Sequence, residues 1–391
     1  MTPQQAPEVL RTSLEQLALR TKAVVGARAI ASTLSDMPTP PKPEAVHSAI
    51  ASLTVLQALD EDENLTPLGQ HLVNMPVDAR VGKMLLLGVM LRCLDPILTI
   101  AAALADRPPF IHPSDAGDRV LADEKRHAFA GSSRSDHIAM ASAYKVWAQL
   151  KEQQGRDAAR KFAVESFLSD RSMETIDASR RDYASVLSDM GFIPHRYCGH
   201  RRALSQTDRS AIERVNALAQ DGRIVKAILC AGFYPNIINI VKPENRYVQI
   251  EGGAFAKDPS AKEVRFFCRN VGRVFLHPTS VNFSAGRFES PWLLWTDRVE
   301  TSKVFIRQSS MISPYAALLF GGALEVQHEA GLLTLDAEWK FKAPAKIGIL
   351  IRELREEVRR LLALKLEDPG LQIDSSPIVD ALLTLLSSDG L

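Results

Sequence analysis

Apolar residues recur every three or four positions along roughly the first 230 residues, with strong helix formers between them. This spacing puts apolar side chains on one face of a helix, so the pattern predicts a largely helical N-terminal part. Four prolines within residues 38–43 interrupt the pattern. A helix cannot continue through such a run, so it divides a first helical stretch from a second.

A short acidic stretch at residues 60–64 separates helices predicted at 45–59 and from Pro67 onward. Thr66 is a good N-cap residue, and proline is favoured at the first helical position that follows it. A helix, an acidic hairpin-like loop and a second helix predict a small winged-helix module. Together with a preceding linker helix, this module occupies residues 1–75.

Further helical patterns fill residues 76–235 and predict a helical bundle. In the helix predicted at 136–153, Ser135 is the N-cap, and Met140, Tyr144 and Trp147 share one face. Such a stripe is typical of a packed core.

After Gly232 the periodicity changes from helical to alternating, which predicts strands. The predicted strand runs lie at residues 237–241, 247–250, 263–275, 292–295 and 303–312. Five or so short strands suit a small closed barrel of the OB-fold type at residues 236–322. Residues 323–391 then form a C-terminal extension with one or two strands and two helices, packed on the barrel. The predicted fold class is therefore a multidomain α+β protein.

The charge is uneven although the formal net charge is only +1. Residues 223–320 hold 13 lysines and arginines against 7 acidic residues, whereas residues 321–391 hold 8 against 12. A basic segment beside an acidic one is an electrostatic footprint that suits a polyanion.

Two predicted strands each present basic, aromatic and basic residues on one face. Because side chains alternate across a strand, Arg265, Phe267 and Arg269 face away from Val264, Phe266 and Cys268. Lys303, Phe305 and Arg307 repeat the pattern, with Val304 and Ile306 opposite. Cations neutralise phosphates and rings accept stacked bases, so this face suits single-stranded nucleic acid. Burial of both rings beneath a neighbouring domain explains the pattern equally well.

Catalytic constellations are missing from the sequence. Gly82-Lys83 lacks the upstream glycine of a nucleotide-binding phosphate loop. Ser135, Asp136 and His137 are adjacent and cannot converge as a hydrolase triad does, so we interpret them as a cap followed by ordinary helix residues. His195, Cys198 and His200 have the composition of a metal site but no second ligand pair, which favours a polar loop over zinc. We expect no catalytic residues and no metal.

The sequence predicts an intracellular localisation. The four cysteines form no close pair, and Arg92 and Asp106 interrupt the longest apolar stretches before they could span a bilayer. The N-terminus shows no apolar signal region. Cytoplasm, nucleus and mitochondrion all stay open.

Six blocks of the sequence resemble the helicase-associated region of DEAH/RHA-type (DExH-box) RNA helicases, in the order of that family. They are residues 65–110, 135–147, 190–192, 227–237, 274–283 and 301–322. Residues 10–24 look like the segment that leaves the second RecA-like motor domain.

The resemblance implies a winged helix, a helical bundle called the ratchet and an OB-fold, normally appended to two motor domains that bind ATP and Mg. In this family the region closes the RNA channel and contacts the strand. It implies single-stranded RNA and the motor domains, in cis or in trans, as partners, with an activator protein as a further partner and no membrane. No cofactor is expected in this chain, and no ATPase activity of its own.

The expected RNA-binding residues combine the basic strand positions with a polar loop. They are Arg265, Arg269, Arg273, His277, Ser280, Asn282, Lys303 and Arg307, with Phe267 and Phe305 as stacking candidates. A hydrogen bond that fixes the loop explains His277 equally well, and Asn282 is equally suited to holding its own turn. On the opposite side of the channel Arg126, Arg134 and Lys145 are candidates, although a solvated helix face explains each of them better. The alternative function is a protein-interaction scaffold that docks helicase activators and has little RNA affinity.

Overall fold

The computed structural model describes residues 14–198, 204–241, 246–250, 253–257, 260–269, 271–327, 331–373 and 376–388. Four helices form its N-terminal part: α1 (Leu14–Val25), α2 (Ile30–Ser35), α3 (Pro43–Val55) and α4 (Pro67–Asn74). Thr66 caps α4 by accepting a hydrogen bond from the Gly69 backbone N–H at 3.1 Å. A bridge between Leu59 and Leu65 closes the acidic loop. The predicted helix, loop and helix are therefore present.

Among the described residues, eight helices form the bundle that follows. They are α5 (Ala79–Met90), α6 (Leu94–Ala105), α7 (Ala116–Ala130), α8 (Asp136–Gln154), α9 (Arg156–Glu165), α10 (Asp170–Asp189), α11 (Gln206–Arg214) and α12 (Gly222–Phe233). Ser135 caps α8 by accepting from the Ile138 N–H at 3.1 Å, and Met140, Tyr144 and Trp147 are buried, which confirms both predictions.

Two details of the bundle differ from the sequence prediction. The apolar pattern predicts a helix over residues 206–220, but α11 ends at Arg214, and the pattern predicts no helix at the position of α7. The buried face of α7 consists of Ala122, Arg126 and Ala130, while Val120 and Leu121 are exposed. Apolar periodicity cannot reveal a helix whose inner face is made of small and charged residues.

Five strands close into a barrel in the order β1, β4, β5, β7, β6. Their bounds are β1 (Ile237–Val241), β4 (Arg265–Cys268), β5 (Gly272–Leu276), β6 (Trp292–Glu300) and β7 (Val304–Ile312). The run predicted at 263–275 is two antiparallel strands, since Gly272 turns the chain with φ of +78°, a conformation that glycine favours. Strands β5 and β7 pair in parallel, and β1 pairs with β6 to complete the closure. A two-stranded hairpin, β2 (Arg246–Ile250) and β3 (Gly253–Lys257), lies between β1 and β4 along the chain.

The C-terminal part joins the barrel to both helical regions. It contains α13 (Pro314–Phe320), a sheet of β8 (Leu324–Gln327), β9 (Leu332–Leu335) and β10 (Trp339–Lys342), then α14 (Ala345–Glu367) and α15 (Pro377–Ser388). Trp339 meets Trp292 of the barrel with ring centroids 4.8 Å apart. His71 of α4 makes a 2.6 Å hydrogen-bond contact with the Leu366 carbonyl of α14. The extension thus contacts the winged helix as well as the barrel, and the predicted α+β fold class is confirmed.

Candidate nucleic-acid interface

The outward side of strands β4, β5 and β7 is the candidate interface, which we call the outer face. Along β4, Arg265 and Phe267 are exposed, whereas Phe266 and Cys268 are buried. The barrel core formed by the inward residues includes Ile238, Phe266, Val274, Leu293 and Ile306. The alternation predicted from the sequence therefore holds, and Phe267, with 37% of its surface exposed, is not covered by a neighbouring domain.

Strand β5 lies between the two strands whose pattern was recognised and completes the outer face. Phe267 of β4 pairs with Arg273, and Phe275 pairs with Phe305 of β7. The rings of Phe275 and Phe305 have centroids 6.0 Å apart. Arg273 and Lys303 hold their charges 5.0 and 4.7 Å from the centroid of the Phe275 ring.

Phe275 was missed among the stacking candidates. The signal was available, because Arg273, Phe275 and His277 alternate with Val274 and Leu276 just as the residues of β4 do.

His277 and Arg307 lie at one end of the outer face. The His277 Nδ1 is 2.8 Å from the hydroxyl of Thr279, and its ring meets Phe305 edge to face at 6.2 Å. Burial, followed by the nearby charge of Arg307, lowers the pKa of His277. Arg307 is half exposed and is 3.9 Å from Asp297, a distance at which an exposed ion pair contributes little. This end therefore presents a neutral imidazole beside an accessible cation.

Arg269 is already engaged within the chain. Its guanidinium is 3.2 Å from Asp336 and 3.0 Å from Glu338, both beside the β9–β10 turn. Asp336 also accepts hydrogen bonds from the hydroxyl of Tyr234 and from the Ala323 N–H. Arg269 therefore connects the barrel to the C-terminal sheet and would have to leave two carboxylates to meet a phosphate.

Ser280 and Asn282 were expected on the surface, and the structure places both inside. They are 3% and 0% exposed. The Ser280 hydroxyl donates to Asp136 at 2.6 Å, and the Asn282 amide donates to the Ser309 hydroxyl at 2.9 Å. A polar side chain that is covered and already hydrogen-bonded has no donor left for RNA, so these two residues hold the loop that carries His277.

Asp136 and His137 are likewise not ordinary helix residues. Asp136 accepts from Ser280 and from the backbone N–H groups of Val281 and Ser309, at 2.6 to 2.9 Å. Burial dominates over these bonds and raises the pKa of Asp136 to about 6. The N-terminus of α8 thus carries a buried acceptor for three donors of the barrel.

His137 extends this buried set. Its two ring nitrogens lie 2.7 and 2.8 Å from the hydroxyls of Ser310 and Thr296, and burial lowers its pKa to about 3. Ser135 meets Ser310 at 2.5 Å. The three neighbours Ser135, Asp136 and His137 therefore fasten the helical bundle to the barrel and are closed to any substrate.

Arg126 is buried, which corrects the expectation of a solvated helix face or a channel lining. It is 4% exposed, donates to the Thr279 carbonyl and to His112 Nδ1 at 2.9 Å, and is 3.3 Å from Asp123. Its role is to hold the same loop from the helical side. By contrast, Lys145 is exposed and contacts Gln220 at 2.9 Å, and Arg134 is partly exposed on the turn before α8.

The residues suggested for zinc are not assembled into a site. The His195 ring is 2.8 Å from the Ser188 hydroxyl, Cys198 is exposed, and His200 lies outside the described residues. Within the described ranges no three histidine, cysteine or acidic side chains are grouped to hold a metal ion. In the same part of the chain, no helix has the length and apolar character needed to cross a membrane.

Four family models match successive parts of the chain. Residues 49–77 match the winged-helix part of the helicase associated domain HA2, and residues 78–140 match its ratchet-like part. Residues 225–324 match an oligonucleotide/oligosaccharide-binding (OB) fold, and residues 331–388 match a C-terminal domain in RNA helicases. The chain therefore carries the C-terminal helicase-associated and OB-fold region of DExH-box RNA helicases.

Similar curated proteins are helicases of this class. The chain is 36% identical to the putative ATP-dependent RNA helicase DHX57 of Mus musculus, over 98% of the chain and 28% of that protein. It is 37% identical to the DExH-box ATP-dependent RNA helicase DExH1 of Arabidopsis thaliana, over 98% of the chain and 35% of the relative. For the ATP-dependent DNA/RNA helicase DHX36 of Homo sapiens the values are 34%, 93% and 34%. The chain spans about a third of the length of these relatives.

Proposed function

We propose that this chain is the RNA-binding accessory region of an ATP-dependent DExH-box RNA helicase, and that the outer face of its barrel contacts single-stranded RNA. In this proposal the region closes the RNA channel against RecA-like motor domains, in cis or in trans. ATP and Mg bind in those domains, and the chain itself has no ATPase activity.

The observation that carries the proposal is the joining of three basic and aromatic strands into one surface. Arg265, Arg273, Lys303 and Arg307 lie on the same side of these strands as the rings of Phe267, Phe275 and Phe305. Arg273 and Lys303 lie over the ring of Phe275. Two of the three strands, β4 and β5, are the second and third barrel strands along the chain, and the face of those two strands is where OB-folds bind oligonucleotides.

The chemistry of the outer face favours a single strand over a duplex. Exposed rings such as Phe267 stack on bases only when the bases are unpaired and splayed, and they do so with little regard to sequence. An A-form duplex keeps its bases stacked inside and offers phosphates and 2′-hydroxyl groups instead. A duplex would use the cations of this surface and leave its rings without partners.

Reversal of two charges tests the proposal. Lys303→Glu with Arg307→Glu removes two phosphate contacts, and each contact contributes about 0.7 to the slope of log K against log salt for a single strand. We expect affinity for a fluorescent single-stranded RNA to fall by at least about tenfold, and the slope to flatten by about 1.4. Fluorescence anisotropy across a salt series measures both quantities.

The control reverses two exposed cations of α9, Arg160→Glu with Lys161→Glu, which make the same change of net charge on a helix that packs against α8 and α10. This variant is expected to keep the slope of the wild type. An unchanged slope in the variant with Lys303→Glu and Arg307→Glu would refute the RNA interface. The alternative function, a protein-interaction scaffold that docks helicase activators, would then explain the chain better. ATP turnover by the purified chain would contradict the absence of a motor.

A further inference from the structure

Asn239 lies beside the outer face, next to the most exposed of its three aromatic rings. In strand β1, Ile238 and Ile240 point into the barrel, and Asn239 points outward and is partly exposed. It pairs directly with Phe267 across the antiparallel β1–β4 ladder. Residues paired in this way have Cβ atoms about 4.5 to 5.5 Å apart, so the amide and the ring are immediate neighbours.

The three rings of the outer face are not equally available. Two cations lie over Phe275, and Phe305 is in contact with the rings of Phe275 and His277. Within the described residues, Phe267 makes no comparable contact with another ring or with a cation, and it is 37% exposed. Phe267 is therefore the ring best placed to receive a base.

The carboxamide of Asn239 has no structural task that the described residues reveal. It makes no hydrogen bond to them, and it lies in the middle of a strand, where asparagine is a poor choice. Asparagine commonly holds turns through its own backbone, but a central strand position has no turn to hold. An accessible group with one acceptor and two donors is thus left beside a stacking surface.

We propose that Asn239 and Phe267 form a pocket for a single unpaired adenine, with Arg273 of the neighbouring strand to meet its phosphate. Arg273 pairs with Phe267 on the side opposite Asn239, and its guanidinium lies over the next ring, Phe275, so the cation borders the pocket without covering Phe267. This inference rests on the proposed function, because it assigns a base preference to the same surface.

Adenine is assigned from the pattern of donors and acceptors. Its N6 amino group donates and its N7 accepts. A carboxamide can bind both at once, because its Oδ1 accepts from N6 and its Nδ2 donates to N7. On the equivalent edge uracil offers the O4 acceptor without an amino group, so one of the two hydrogen bonds is lost. The larger purine ring also covers more of Phe267.

The test compares two homopolymers and one near-isosteric variant. The wild-type chain and its Asn239→Leu variant are titrated into fluorescent oligo(A) and oligo(U) of equal length. The wild type is expected to prefer oligo(A). Asn239→Leu is expected to lose about tenfold in affinity for oligo(A) and less than about twofold for oligo(U), with the salt slope unchanged because no charge is lost.

Val241→Ala is the matched control, since Val241 is the next outward residue of the same strand and pairs with Arg265 rather than Phe267. It should keep the preference for oligo(A). A wild type without that preference, or an Asn239→Leu variant that weakens both homopolymers equally or neither, overturns the adenine pocket while the RNA interface stands. Absence of salt-dependent binding to both homopolymers overturns the interface as well.

Discussion

The two halves of strand β7 use polar residues in opposite ways. Its first half carries Phe305 and Arg307 outward on the outer face, where they meet solvent. Its second half carries Ser309 and Ser310, which are both 0% exposed and hydrogen-bonded to Asp136 and His137. One half is an open surface that keeps its charges accessible, and the other is a closed joint that keeps its polar groups paired.

The comparison shows that polar residues in a nucleic-acid-binding fold are not evidence of a binding site by themselves. Buried polar groups must be hydrogen-bonded, so a polar cluster under a helix has the chemistry of a joint. Accessible cations around unpaired rings have the chemistry of a ligand surface. Burial, more than residue type, separates the two halves, and substitutions on either side should therefore affect different properties.

Phe266 and Phe267 are adjacent on opposite faces of β4, and their substitution should give the largest difference in effect on stability and on RNA binding. Phe266 is 8% exposed and meets Phe288 with ring centroids 6.0 Å apart, so Phe266→Ala should lower the free energy of unfolding by about 3 to 5 kcal/mol. Phe267→Ala should change it by less than about 0.5 kcal/mol and weaken single-stranded RNA binding by about tenfold. Urea unfolding and anisotropy measure these quantities. Equal loss of stability in both variants would contradict the assignment of faces.

The joint should respond strongly to loss of its carboxylate. Asp136→Ala leaves the hydroxyl of Ser280 and the N–H groups of Val281 and Ser309 without their acceptor. We expect a loss of about 3 kcal/mol in the free energy of unfolding, below the sum of the three penalties because the cost of burying the charge is relieved. Asp182→Ala, at an exposed carboxylate of α10, is the control and should cost less than about 0.5 kcal/mol. A loss below about 1 kcal/mol for Asp136→Ala would show that the joint tolerates unpaired groups.

The sequence predicted the open half of this comparison and missed the closed half for physical reasons. Alternation along β4 and β7 is a local property with a period of two, so the outward set of Arg265, Phe267, Phe305 and Arg307 follows from the order of residues alone. The partners of Asp136 lie 144 to 173 positions away. No local sequence pattern predicts a contact between residues so far apart in the chain.

The errors at Ser280 and Asn282 have the same origin. A polar loop between strands has the composition of a ligand-binding loop, and only the helix packed over it decides its role. The same is true of Arg126. Its charge predicts a solvent-exposed side chain, but the guanidinium is buried and donates to the loop carbonyl of Thr279. Phe275, by contrast, was predictable from the alternation along β5.

The pH dependence of the free energy of unfolding should reveal the lowered pKa of His137, the histidine of the joint. The pKa of His137 falls to about 3 in the folded protein, so its neutral form stabilises the fold above its ordinary pKa of 6.5, and this contribution is lost as the pH falls. The raised pKa of Asp136 acts in the opposite direction between about pH 4 and 6, because the folded state there holds its proton more tightly than the unfolded state. The wild type alone therefore shows a muted dependence.

His137→Gln removes one of these two opposing contributions. The difference in the free energy of unfolding between wild type and His137→Gln should grow by about 1.4 kcal/mol per pH unit from about pH 4 to pH 6. Urea unfolding at several pH values gives this difference. A constant difference across that range would mean that His137 titrates normally and is reached by water.

The smallest expected effect concerns the contact between the outer face and the C-terminal sheet. Asp336→Asn keeps a side chain of the same shape for Tyr234 and Ala323 but removes the charge that holds Arg269. Since Arg269 is more than a third exposed, solvent screens the pair, and we expect a loss of only about 1 kcal/mol. The released arginine becomes available to phosphate, so affinity for single-stranded RNA should rise, by less than about threefold, and the salt slope should steepen. Glu338→Gln, which removes the second carboxylate, should act in the same direction. A fall in affinity for both variants would show that Arg269 serves the contact with the C-terminal sheet rather than RNA binding.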